Sequence, residues 1–122
     1  ASLYVHHDAD GFELELTFGQ RVTHVKGTDV TLSDGEDVTR CVLSLLEFRA
    51  LREQTRFLRD VEPLKPGRGV PAFMISVITS DGPMVNSGAL DKERLEPIDR
   101  YVIAHGSACI KQFVPHGPTP AR

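Results

Sequence analysis

From Phe12 to Phe18 apolar and polar residues alternate strictly, which places Phe12, Leu14, Leu16 and Phe18 on one face of a strand and Glu13, Glu15 and Thr17 on the other. Ser2 to His6 before it, and Val22 to Val25 and Val30 to Leu32 after it, are short β-prone runs separated by Asp10-Gly11 and Gly27-Thr28. The pattern predicts an antiparallel meander with one buried and one solvated face. Ser33-Asp-Gly-Glu36 has the spacing of a helix capping box, and Val42, Leu43, Leu46, Ala50, Leu51, Phe57 and Leu58 share one broad arc at ~100° per residue, so a long helix is expected over 37–60. A hairpin through Ser33 to Glu36, with Val38 to Leu45 as its second strand, competes for the first part of that segment. From Leu45 onward Arg, Glu, Gln, Leu and Ala dominate, and the helix is preferred.

Pro63 to Gly69 is a loop by composition, and Val70 to Thr79 is a strand apolar on both faces, expected inside the sheet with Met84-Val85 returning beside it. Asp91 begins a helical turn. Pro97 suits the first position of a shorter helix, 97–105, whose stripe is Ile98, Tyr101, Val102 and His105 and whose C-terminal cap is Gly106. A last strand is expected at 108–114. The predicted fold is α+β: a mainly antiparallel sheet covered by two helices, in a single domain over 1–114 followed by a flexible Pro-rich tail, 115–122.

Composition changes this picture little. With 122 residues, 40% hydrophobic and 25% charged, the chain suits one domain able to form a core without staples. The net charge of −3 hides a gradient, since residues 1–37 carry eight acids against Arg21 and Lys26, while 49–68 carry six bases against Glu53, Asp60 and Glu62. A mildly acidic chain with one basic segment argues against a general nucleic-acid binder and leaves a local anion site open. Cys41 and Cys109 lack metal-finger spacing and read as free, packed thiols. No apolar run is long enough to cross a bilayer, and the cytosol is the expected location. Ala1 fits removal of an initiator Met and equally a processed or excised chain.

The feature with the most specific chemistry is Arg49, Arg52, Arg56 and Arg59, spaced 3, 4 and 3 so that an α-helix projects them within roughly an 80° arc. Lys65 and Arg68 follow between glycines, where backbone N–H groups can help hold phosphate or carboxylate. Glu53 and Asp60, one turn away, also account for the stripe as a plain solvated face. The His6-His-Asp-Ala-Asp10 cluster lacks a second ligand cluster, so no metal or cofactor is expected. Glu47, Asp81, His105 and Cys109 are the residues from which an enzyme would draw its chemistry. Glu47 is singled out because a carboxylate inside an apolar arc tends to have a raised pKa, yet no nucleophile elbow, phosphate loop or metalloprotease motif accompanies them. The leading expectation is a non-enzymatic binding or regulatory module that acts through the arginine face and the 65–69 loop on an acidic protein surface, including that of a second copy. A small enzyme or binder of a small anionic ligand, with a pocket between sheet and helices, is the first alternative, and a nucleic-acid-binding protein the second.

Overall fold

The computed structural model describes residues 11–105 and, as backbone, the strand Ser107–Gln112. Within that range the chain forms an α+β domain. The expected strand at 2–6, the His6 to Asp10 cluster, the Gly106 cap, residues 113–114 and the tail 115–122 lie outside the described residues.

Four strands form the meander: β1 (Phe12–Phe18), β2 (Arg21–Lys26), β3 (Asp29–Asp34) and β4 (Asp37–Val42). Gly19, Gly27 and Gly35 each open a two-residue hairpin loop with positive φ, the conformation that lets a tight turn follow the twist of its strands. The hairpin at Gly35 corrects the expected helix over 37–44. Val38, Thr39 and Val42 are β-branched, and pairing with β3 uses their backbone donors where a helix start would leave them open.

Helix α1 is therefore shorter, Leu45–Gln54, and its capping box lies at Ser44 and Glu47. The backbone N–H of Ser44 donates to Glu47 Oε1 at 2.8 Å, and that of Glu47 to Ser44 Oγ at 3.1 Å. Buried Thr55 ends the helix by donating its hydroxyl to the Leu51 and Arg52 carbonyls, and the chain continues as a 3₁₀ turn, Arg56–Arg59. The apolar arc differs from the expected one as well. Phe48, Leu51 and Leu58 are buried, whereas Leu46 and Phe57 are exposed. Ser44→Ala is expected to cost about 1 kcal/mol in urea unfolding.

Strands β5 (Ala72–Thr79) and β6 (Gly82–Ala89) form a hairpin that lies against β1, and β7 (Ser107–Gln112) lies against β4, giving the seven-stranded order β6-β5-β1-β2-β3-β4-β7. β5 is interior as expected, but only Phe73, Ile75 and Val77 are buried, and Ile78 on the other face is exposed. Helix α2 runs Lys92–His105, five residues earlier than expected, with Pro97 inside it and Leu95, Ile98, Asp99 and Val102 buried. The carbonyl of Glu93, which Pro97 cannot bond, belongs to an exposed residue that water can serve. α1, the 3₁₀ turn and α2 cover the face formed by Phe12, Leu14, Leu16, Val25, Val30, Phe73, Ile75 and Val77, and Phe12 meets Phe48 edge to face at 5.3 Å.

Cys41 is disulfide-bonded, which corrects the free thiol expected there. β7 (Ser107–Gln112), the strand that carries position 109, pairs with β4 around Cys41. No described helix is long and apolar enough to cross a membrane.

Candidate functional site

The end of α1 gathers positive charge. The break at Thr55 replaces the single stripe by two segments, and in a 3₁₀ turn residues three apart eclipse one another, so Arg56 and Arg59 lie one above the other. Arg52, in the last turn of α1, and Arg56 both push the Arg59 pKa down, after burial, which is the larger cause; Glu53 and Asp60 oppose that push without cancelling it. Arg56 is held by Glu53 at 3.1 Å in an exposed pair. Arg59 has no such anchor. Its Nε and Nη2 are shielded from solvent and donate to nothing among the described residues. These two groups form the side-on edge of the guanidinium, the fork that grips a carboxylate or phosphate with two parallel bonds.

Arg56 and Arg59 form one wall of a groove of about 430 Å³ that Asp60, Thr79, Asp81, Gly82, Pro83 and Met84 complete. The groove is held in shape by Asn86 of β6, whose side-chain amide donates to the carbonyls of Leu58 at 2.8 Å and Val61 at 3.0 Å and so ties the 3₁₀ turn to the sheet edge. The segment after it is fixed by backbone pairing of Leu64 with Ala89 and by Pro63 pressing on Gly88, where a Cβ would lie 2.4 Å from Pro63 Cβ. Asn86→Ala is expected to cost about 1–2 kcal/mol in urea unfolding, because it leaves two carbonyls short of a donor.

The other expected binding residues are not all part of this cluster. Arg49 is exposed one turn earlier, and it is absent from the charges that act on Arg59. Lys65 and Arg68 are exposed on the 62–70 loop, whose Gly69 and Val70 line a different groove of about 490 Å³ with Phe18, Arg21, Lys92 and Glu96.

The residues considered for catalysis are dispersed. Asp81 occupies the β5–β6 turn, in the arginine groove. Glu47 and His105 come near each other at the N-terminus of α1 and the C-terminus of α2, bridged by Tyr101, which stacks on the His105 ring at 4.1 Å and donates to the Glu47 carbonyl at 3.3 Å. Glu47 does not have the raised pKa expected of it. The Ser44 backbone N–H, then the Ser44 hydroxyl, hold its carboxyl below the ordinary range, and Tyr101 is pushed up by burial and then by the Glu47 charge. A depressed carboxyl pKa means that Glu47 supports the helix above its unfolded pKa and ceases to as pH falls through the lowered folded one. The side chain of Cys109 lies outside the described residues. Among the described residues no group of His, Cys, Asp and Glu could hold a metal ion.

Sequence reading missed a second polar centre. Asp99 of α2, 1% exposed, accepts from Arg21 and from the buried Thr23 hydroxyl, both on β2. Arg21 also lies over the Phe18 ring, 5.0 Å from its centroid. The signal was a carboxylate in the arc of Leu95, Ile98 and Val102, visible once the helix starts at Lys92. Compared with family models, curated proteins and solved structures, the chain matches none.

Proposed function

We propose that the chain is a non-enzymatic binding module that captures a carboxylate or phosphate group on Arg52, Arg56 and Arg59. The observation that carries this reading is the Arg59 fork: two donors withdrawn from water, given no acceptor by the described residues, and pressed against like charges. Leaving a desolvated donor open costs about 1–3 kcal/mol, and gathering guanidiniums adds repulsion. An oxyanion satisfies the donors and cancels the repulsion at once, so the cluster is poor on its own and good with a partner.

Asp60 and Asp81 in the same groove oppose a long polyanion and favour a short acidic feature of a protein surface. Nucleic acid recognition also gains little from aromatic stacking here, with Phe57 the exposed ring next to the cluster. The disulfide at Cys41 favours an oxidising compartment over the cytosol suggested by the cysteine count. The test is calorimetric titration of the protein with tetra-aspartate at low salt. Wild type binds, and Arg56→Gln/Arg59→Gln weakens binding at least about tenfold, the loss expected when a charge-assisted bidentate contact goes. Equal affinity in the two proteins contradicts the reading.

A further inference from the structure

Like charges are crowded at two places on this molecule, with opposite signs. One is the arginine cluster. The other is the β3–β4 hairpin, where Asp34 and Asp37 are directly opposed cross-strand partners flanking Gly35-Glu36. Carboxylates directly opposite on adjacent strands repel each other, and both are exposed, with no ion pair of theirs among the described residues. Arg21, the register partner of Asp34, is committed to Asp99.

The topology keeps the two sites apart. The arginine groove includes the β5–β6 turn at the β6 edge, whereas β3 and β4 lie towards the other edge, five strand spacings from β6 to β4, or roughly 24 Å. The register also sets them at opposite ends of the strands. Phe12 pairs with Val77, so the β5–β6 turn lies at the start of β1, while the β3–β4 turn lies level with the end of β1. The crowded charges occupy diagonally opposite corners, where neither corner can relieve the other within one chain.

Resting on the function proposed above, we infer that the acidic partner of the arginine groove is the β3–β4 hairpin of a second copy of this chain. A two-residue hairpin tip is narrow enough to enter a groove of about 430 Å³, and the contact relieves repulsion on both sides. Because the two surfaces differ, the contact is head to tail, and a row of copies joined this way keeps one free end of each sign, to which a further copy adds. Pairing along the β6 edge is the less suitable route: Pro83 has no N–H, and the Ser87 N–H is taken by Asn86 Oδ1 at 3.0 Å.

The experiment is sedimentation velocity at low salt on wild type, on Arg56→Gln/Arg59→Gln and on Asp34→Ser/Asp37→Ser, with circular dichroism to confirm that each is folded. Wild type gives a mean mass that rises with concentration beyond a dimer and falls with added salt. Each variant alone is a monomer. Their equimolar mixture gives a 1:1 dimer and nothing larger, since each supplies the one surface that the other lacks. A wild type that stays monomeric, a variant that associates alone, or a mixture that stays monomeric overturns the inference. Titrating Asp34→Ser/Asp37→Ser, which adds no cation of its own, with tetra-aspartate separates the two claims. Binding there without self-association leaves the arginine site standing and removes the second copy as its partner, and no binding removes the arginine site itself.

Discussion

Arg21→Met should cost about 3 kcal/mol in urea unfolding, because it leaves the Asp99 carboxylate buried with only the Thr23 hydroxyl to serve it. In a chain of 122 residues that is a fall of roughly 12 °C in melting temperature. The pair is not by itself a source of stability. Taking a carboxylate out of water costs several kcal/mol, and the attraction of Arg21, whose side chain is 35% exposed, returns only part of that. The triple replacement Arg21→Met/Thr23→Val/Asp99→Leu removes both the charges and the hydroxyl between helix and sheet, and is expected to lie within about 1 kcal/mol of wild type. A single variant that costs less than about 1 kcal/mol would show that Asp99 reaches water in solution.

Arg59→Met should act in the opposite direction on stability and against function. It removes two shielded donors that have no acceptor among the described residues and one of three crowded charges while its stem keeps the packing, so the unliganded protein gains on the order of 1 kcal/mol. The same change takes away the fork, and tetra-aspartate no longer stabilises the protein. For wild type, a ligand at a hundred times its Kd adds ~2.7 kcal/mol. Thermal unfolding with and without the peptide reads both effects. A stabilised variant that has lost ligand response marks Arg59 as a residue kept for binding at the expense of stability. A destabilised variant would mean that the guanidinium is a structural anchor.

The meander, the β5–β6 hairpin and the two-helix layer were legible because periodicity and turn chemistry agreed there. The strand β4 was not, because Ser33-Asp-Gly-Glu36 fits both a capping box and a hairpin loop. The spacing of Gly19, Gly27 and Gly35, eight residues apart, is the signal that decides between them, since it repeats the turn at the end of each strand. The misplaced start of α1 had a consequence for chemistry. The early start put Glu47 within a buried arc, when it is the half-buried partner of the Ser44 cap, and the missed break at Thr55 made one α-helical stripe of four arginines out of a helix end and a 3₁₀ turn.

The arginine spacing therefore pointed to the right segment for a partly different reason. Helical geometry predicted four parallel side chains, whereas the break at Thr55 turns three of them into a crowded group and leaves Arg49 aside. Asp99, Arg21 and Thr23 were out of reach of local pattern. They are 76 and 78 positions apart, and only the packing of α2 on β2 unites them.

If Arg59 meets its acceptor on a partner, nitrogen-15 NMR of the arginine Nε–H signals during titration with tetra-aspartate shows it. The Arg59 signal then moves furthest, with Arg52 and Arg56 following and the exposed Arg94 and Arg100 nearly still. An unmoved Arg59, or equal shifts across the surface arginines, would contradict it.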